Sequence, residues 1–123
     1  MVENKNSILY VGTHGIDSNN RERALVASGF GVASVDSPEA AVTHVKNSGV
    51  LVVLLEDSGW LDIPLLASCL KTANPFVRIV ALTSHDVASA YIDTLLPKPV
   101  SVESLLQAIH NNLAISRAAA ESA

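Results

Sequence analysis

The stretch VLVVLLED at residues 50–57 decides the fold, because six consecutive apolar residues end at two adjacent acids. No polar residue interrupts the apolar run, and this pattern is typical of a parallel strand that is covered on both faces. Parallel strands need crossover connections, which are usually helices. We therefore expect residues 50–55 to form the central strand of an α/β domain.

Strand-like and helix-like segments alternate on both sides of this stretch. Ser37-Pro38-Glu39 shows the clearest helix start, with an N-cap residue, a proline at the first helical position and an acid in the first turn. Such alternation specifies right-handed crossovers and a parallel sheet with helices on both faces. The predicted strands cover residues 8–11, 32–35, 50–55, 77–83 and 95–96, and the predicted helices cover 21–28, 38–47, 62–72 and 101–112. The prediction is a doubly wound, five-stranded (βα)5 domain.

Length and composition indicate one domain with a real core. The chain has 123 residues, of which 49% are apolar and 16% are charged. We expect residues 1–123 to form a single domain with its core at about 7–113, and the segments 1–6 and 114–123 to be flexible or frayed. The single cysteine, Cys69, lies in an apolar segment and is expected to be a core residue.

Several functional classes find no support in the sequence. The net charge is −4 and the eight Lys and Arg residues are scattered, so no basic stripe for nucleic acid is present. The longest apolar run is far shorter than the roughly 20 residues that cross a bilayer. No nucleophile with a neighbouring base is visible, so we expect no enzyme activity. A cytoplasmic protein that binds neither nucleic acid nor membrane is the expectation.

The most specific pattern lies in the last third of the chain. Thr83 ends the fourth predicted strand, Lys98-Pro99 follows the fifth, and SVESLL at residues 101–106 opens the last helix. In these features the chain resembles the receiver domain of response regulators, from residue 8 to about residue 112. The resemblance implies a flavodoxin-like fold and a place in a two-component-type pathway or phosphorelay. It also implies a protein partner, such as a kinase, an effector or a second copy of the chain.

The acidic half of the family's site is missing from this sequence. In that family two adjacent acids end strand one, and a phosphorylated Asp ends strand three; the carboxylates bind Mg²⁺ and the Lys binds a phosphate oxygen. The acidic pair falls on Gly12 and Thr13, neither of which has a carboxylate. Asp17 is the next acid, and it is better placed to cap helix one. The resemblance is therefore to a degenerate receiver, or pseudo-receiver, without a metal or other cofactor.

The acceptor position falls on Glu56 or Asp57, and Glu56 is favoured because it is the first polar residue after the strand. Strand ends of a parallel sheet meet at one edge, so either carboxylate can pair with Lys98. Alternatively, both acids are solvated loop charges near a lysine. The predicted degenerate phosphoacceptor site consists of Glu56, Asp57, Thr83, Lys98 and Pro99.

The output surface of the family is also altered. The family has an aromatic residue three positions before the Lys, and here that residue is Leu95. Only 14 residues lie between Thr83 and Lys98, so helix four should shrink to a turn or two. Exposed apolar side chains often mark a binding surface. We therefore predict an interaction surface at Val87, Tyr91, Ile92 and Leu95, unless Tyr91 and Ile92 fold inward to fill the gap.

Two alternative functions stay open at this point. The first is a receiver with residual phosphoacceptor activity at Asp57 or Glu56. The second is a flavodoxin-like domain that binds a small ligand or a metal through the loop GTHG at residues 12–15. Backbone N–H groups before a helix can bind an anion, and His14 and His85 with a carboxylate could bind a metal. Trp60 is expected either to cover the sheet edge or to anchor a partner.

Overall fold

Five parallel strands form one sheet in the computed structural model, which describes residues 7–12, 16–57 and 61–122. The strand order is β2-β1-β3-β4-β5, so the apolar run at 50–55 lies at the centre of the sheet, as predicted. The strands are β1 (Ser7–Val11), β2 (Gly31–Val35), β3 (Val52–Glu56), β4 (Arg78–Thr83) and β5 (Thr94–Pro97). The helices are α1 (Ile16–Ala27), α2 (Pro38–Asn47), α3 (Ile63–Ala73) and α4 (Val102–Ser122).

Two apolar clusters cover the two faces of the sheet. One joins α2 and α3 to residues such as Leu9 and Val53, and the other joins α1 and α4 to residues such as Ile8 and Leu54. Successive residues of a strand point to opposite faces, so neighbours in β3 belong to different clusters. Every residue of β3 is buried, which explains why its sequence shows no polar alternation. The predicted flavodoxin-like class is confirmed.

The helix starts show where local sequence rules suffice and where they do not. Ser37 caps α2 by accepting a hydrogen bond from the N–H of Ala40 at 3.1 Å, and Asp62 caps α3 in the same way. In contrast, α1 begins at Ile16, before the predicted start at residue 21. Asp17 is therefore the second residue of α1 and does not precede the helix. The first turns of α1 are largely polar, so apolar periodicity could not reveal them.

No helix connects β4 to β5. Residues 84–93 form bends and one turn, so helix four is shortened further than the predicted turn or two. Val87 and Ile92 pack against the cluster beneath α2 and α3, where they fill part of the space that a helix would cover. Of the four residues of the predicted surface, Val87 and Ile92 are therefore half-buried, with Ile92 turned inward as the alternative expected, while Tyr91 and Leu95 remain 47% and 38% exposed.

Asp93 fixes this irregular segment to the rest of the domain. Its carboxylate accepts a hydrogen bond from the N–H of Ile79 at 2.8 Å, and its own N–H donates to the Ile79 carbonyl at 2.9 Å. The same carboxylate forms ion pairs with Lys71 at 2.9 Å and Arg78 at 3.2 Å. One side chain thus joins the segment to both α3 and β4.

The last helix extends beyond residue 113, where the core was expected to end. Buried Ser116 donates a hydrogen bond to the carbonyl of Phe76 at 2.9 Å, and buried Asn112 accepts one from Arg78 Nε at 3.0 Å. The contact of Ser116 lies past Leu113 and holds this part of the helix against the turn before β4. None of the helices within the described residues, α4 included, is long and apolar enough to cross a membrane.

Cys69 is exposed on α3, so the expectation of a core position is wrong. The buried side of α3 is made by Ile63, Leu66, Ala67 and Leu70. These residues follow helical spacing, and Cys69 lies outside the stripe that they form.

The contacts of Asp93 generate a prediction about stability. The change Asp93→Ala leaves the Ile79 N–H without its side-chain acceptor and Lys71 without its ion pair. We expect the free energy of unfolding to fall by about 2 to 3 kcal/mol, measured by urea denaturation. The matched control is Asp86→Ala in the same segment, where an exposed side chain should cost less than about 0.5 kcal/mol. Equal losses in both variants would contradict the role of Asp93.

Candidate functional site at the carboxyl edge of the sheet

The strand ends bring most of the predicted site residues together. Glu56 is the last residue of β3, Thr83 is the last residue of β4, and Lys98 follows β5 directly. Gly12 follows β1 and is buried, and a Cβ at this glycine would contact the Cβ of Glu56 at 3.4 Å. Thr13 lies outside the described residues, as do His14 and Trp60.

The carboxylate of Glu56 is the centre of the site, and its side chain is only 11% exposed. Its Oε1 accepts hydrogen bonds from the hydroxyl of Tyr10 and, at 3.1 Å, from Nε of Arg21. Its Oε2 binds Nη2 of Arg21 and, at 3.0 Å, Nζ of Lys98. Arg21 thus holds both oxygens in the two-pronged geometry that is strong for a guanidinium and a carboxylate.

The environment keeps Glu56 charged although it is buried. Burial alone would raise the pKa of Glu56, but hydrogen bonds from Tyr10, Arg21 and Lys98 outweigh this effect and lower the pKa below its ordinary value. Burial, followed by the hydrogen bond to Glu56, raises the pKa of Tyr10. Tyr10 therefore remains a hydrogen-bond donor at neutral pH.

Asp57 forms a second charged contact at the same edge. Its Oδ1 lies 2.6 Å from Nζ of Lys98, and its Oδ2 accepts a hydrogen bond from the N–H of Ser84 at 2.8 Å. Burial acts to raise the pKa of Asp57, but Lys98 and Ser84 outweigh it and lower the pKa. Lys98 lies between two carboxylates, and they raise its pKa against the opposing effect of burial.

Thr83 and Pro99 take positions that do not involve the carboxylates directly. The Thr83 hydroxyl donates a hydrogen bond to the carbonyl of His85 at 2.7 Å, and the Thr83 carbonyl accepts one from the N–H of Lys98 at 2.9 Å. The Lys98–Pro99 peptide bond is cis. The hydroxyl of Thr83 is therefore engaged by the loop after β4.

Tyr10 and Arg21 were missed in the sequence. Tyr10 stands in the apolar run of β1 and resembles an ordinary core residue, while Arg21 lies in the polar part of α1. One feature of the sequence could have indicated their role. Gly12 stands where an acid is expected, and the helix that follows contains a cation, Arg21. Pattern rules for single elements do not detect such a combination, because it involves two elements far apart in the chain.

The described residues do not fit a Mg²⁺ site. Mg²⁺ requires several oxygen ligands in near-octahedral geometry, and Gly12 provides none from a side chain. The carboxylate of Glu56 is already bound by the guanidinium of Arg21, whose positive charge would repel a metal ion at the same oxygens. Within residues 7–12, 16–57 and 61–122, no group of three or more His, Cys, Asp or Glu side chains is placed to hold a metal ion.

An open cleft adjoins the charged residues. Its volume is about 590 Å³, and it lies between the start of α3 and the segment that follows β4. Asp57, Ser84, His85 and Lys98 form its polar wall, and Leu61, Ile63, Pro64 and Val87 form its apolar wall. The cleft gives solvent access to the outer side of the Asp57–Lys98 pair.

Solved receiver domains superimpose on the chain, so its fold is that of a receiver domain. A CheY-like receiver domain from Methanospirillum hungatei is 18% identical with a TM-score of 0.79, covering 90% of this chain and 95% of that one. The receiver domain of an HD domain-containing protein from Pseudomonas fluorescens is 18% identical with a TM-score of 0.86, covering 98% and 96%.

A third neighbour is the receiver domain of a sensor histidine kinase from Pseudomonas aeruginosa, which has a magnesium ion in its active-site cleft. It is 19% identical with a TM-score of 0.77, covering 88% of this chain and 97% of that one. No protein-family model and no curated relative matches the chain. The structural likeness therefore establishes the receiver fold, and the site must be interpreted from its own residues.

The ion pair between Arg21 and Glu56 leads to a prediction about stability. We expect Arg21→Met and Glu56→Gln each to lower the free energy of unfolding by about 2 to 3 kcal/mol. Arg21→Met removes the two-pronged partner of buried Glu56 and leaves it paired with Lys98 alone, and Glu56→Gln leaves the guanidinium of Arg21 without its counter-ion. The double variant should lose less than the sum of the two, measured by urea denaturation. Arg23→Met, at an exposed position of the same helix, is the control and should cost less than about 0.5 kcal/mol. Additive losses as small as that of the control would show that the pair is a solvated surface contact.

The lowered pKa of Glu56 predicts how stability depends on pH. Because the pKa is lower in the folded than in the unfolded protein, the stabilisation is present above the ordinary value of 4.5 and is lost as the pH falls through the lowered value. The wild-type protein should therefore lose stability more steeply than Glu56→Gln as the pH falls below about 5, in thermal unfolding followed by circular dichroism. Parallel curves for the two proteins would contradict the shift.

Proposed function

We propose that this chain is a degenerate receiver module of a two-component-type pathway, which acts through protein–protein interaction and lacks normal Mg²⁺-dependent phosphorylation. The observation that carries the proposal is the buried ion pair of Arg21 with Glu56, beside a glycine where ordinary receivers place an acid. A side chain of the protein supplies the positive charge that a metal would otherwise bring. The receiver fold supports the signalling class, and the altered site supports the loss of phosphorylation.

The engaged oxygens argue against phosphoryl transfer at this site. An acceptor carboxylate must offer one oxygen to the phosphorus while cations neutralise the phosphoryl oxygens. Both oxygens of Glu56 are bound by Arg21, and Lys98 already contacts two carboxylates. Asp57 likewise has one oxygen on Lys98 and the other on the Ser84 N–H. A phosphoryl donor would have to break several charged contacts before it could react.

The proposed output is a static surface on the face that helix four would cover. Leu95 is paired with Ala81 in the sheet, so it points to the same face as the cluster beneath α2 and α3. Tyr91 precedes it in the uncovered segment, and both side chains are partly exposed. Leu95 cannot act as the aromatic partner of a switching threonine. We propose that a kinase, an effector or another signalling protein, or a second copy of the chain, binds at this surface.

Phosphorylation is tested directly with acetyl phosphate and Mg²⁺. We expect no phosphoryl adduct in the intact mass of the wild-type protein, while a receiver with both strand-one acids should be modified under the same conditions. Thermal stability should also be unchanged when Mg²⁺ is replaced by EDTA, because Arg21 is a covalently attached cation. An adduct that is formed by the wild type and lost in the double variant Glu56→Ala, Asp57→Ala would contradict the proposal.

The interaction surface is tested with charge substitutions at its two exposed residues. Tyr91→Glu and Leu95→Glu should abolish self-association in size-exclusion chromatography with light scattering, or prevent capture of a protein partner that the wild type retains. Val26→Glu is the matched control, because Val26 is 55% exposed and lies on α1, which packs on the opposite face of the sheet. A monomeric wild type that captures the same proteins as both variants would remove the argument for this surface.

A further inference from the structure

A groove of about 580 Å³ lies between the first two turns of α2 and those of α3. Its apolar wall includes Val42 of α2 and Leu65, Leu66 and Cys69 of α3. Leu65 is 62% exposed, the largest exposed fraction among the large apolar side chains in the described part of the chain. The volume falls within the range of about 300 to 1,000 Å³ that is usual for small-molecule sites.

The groove is apolar because α3 carries apolar side chains beyond those that it buries. Leu65 and Cys69 are both exposed, and they lie beside buried Leu66 on the helix surface. A helix needs one apolar stripe to pack on a sheet. These two side chains therefore contribute little to the packing of α3 on the sheet, and an exposed apolar surface of this kind often marks a binding site.

The charged residues that line the groove are both acids. Glu39 lies in the first turn of α2, and Asp62 caps α3 by accepting a hydrogen bond from the N–H of Leu65 at 3.1 Å. None of the described residues that line the groove is a lysine or an arginine. Each helix N-terminus carries about half a positive charge, so the two helix dipoles offset about one of the two negative charges. A net negative charge remains at this end of the groove, and it favours a cation.

We propose that the groove between α2 and α3 binds a small molecule with an apolar body and one protonated amine. The apolar body packs on Val42, Leu65 and Cys69, and the ammonium lies beside the carboxylates of Glu39 and Asp62. The inference goes beyond the proposed function, because it involves neither the charged site at the end of β3 nor the proposed output surface. The binding is noncovalent.

The test compares three probes that share an apolar body and differ in charge: phenethylamine, phenethyl alcohol and hydrocinnamate. Each is titrated into the ¹⁵N-labelled full chain at low ionic strength, and the amide signals of Val42, Leu65 and Cys69 should shift. We expect phenethylamine to bind about fivefold more tightly than the alcohol, because its ammonium adds an ion pair, and hydrocinnamate to bind most weakly. The preference for the amine should disappear in about 1 M salt, which screens exposed charges.

Matched variants separate the effect of charge from that of the apolar wall. The double variant Glu39→Gln, Asp62→Asn removes both charges and keeps a helix cap, because Asn caps helices as well as Asp does. It should bind the amine no more tightly than the alcohol. Leu65→Ala should weaken the binding of all three probes about threefold, because apolar contact is lost. Val26→Ala is the control for an exposed apolar residue on the opposite face of the sheet, and it should change none of the affinities.

Cys69 provides a second readout in the wild-type protein, because it is the only cysteine of the chain and is exposed. Bound phenethylamine should slow its alkylation by iodoacetamide more than the alcohol does at the same concentration. Equal affinity of the wild type for the amine and the alcohol would overturn the proposal, as would an absence of shifts or shifts that map outside α2 and α3. None of these results bears on the proposed function, which is tested by the phosphoryl adduct and by the surface at Tyr91 and Leu95.

Discussion

The site depends on the need to neutralise a carboxylate at the end of a buried strand. Glu56 is the last residue of β3, which is covered on both faces, and a buried charge is costly unless it is paired and hydrogen-bonded. Three side chains meet this need: Tyr10 from the neighbouring strand, Arg21 from α1, and Lys98 from the end of β5. Gly12 lies beside Glu56 and has no side chain, so it adds no further carboxylate to this group. Gly12, in place of an acid at the end of β1, and Arg21, a cation on α1, thus both help to keep the charge of Glu56 balanced.

No helix covers the sheet between β4 and β5, so the segment that joins these strands must cover the apolar side chains there. It does so through both polar and apolar contacts. A sheet face without its helix exposes apolar side chains to water. Val87 and Ile92 pack onto that face, and Asp93 secures the end of the segment through Ile79, Lys71 and Arg78. Leu95 and Tyr91 are left partly exposed at the margin. The surface proposed for output is therefore what remains after the segment has covered the rest.

The sequence predicted the parts of this structure that follow from local patterns. The apolar run at 50–55 predicted the central strand, and Ser37 and Asp62 marked the starts of α2 and α3. The convergence of Glu56, Asp57 and Lys98 could be predicted because parallel strand ends share one edge. Arg21 could not be predicted, since its role depends on the direction in which a polar helical turn faces. The half-burial of Val87 and Ile92 could not be decided from the sequence, because composition does not show whether an apolar residue in a short connection faces the core or solvent.

The positive charge at Glu56 belongs to a side chain of the protein, and in this respect the site differs from one that depends on a bound ion. A metal ion or a phosphoryl group occupies a site only to the extent that its concentration and affinity allow, so its occupancy can carry a signal. Arg21 is part of the chain, so neither chelation nor dilution removes its positive charge from Glu56. Under the proposed function, the balance of two positive and two negative groups favours one arrangement of the strand ends under all ordinary conditions. In this proposal information enters through the binding of a partner at the surface, because the charged groups of the site within the described residues are all part of the chain.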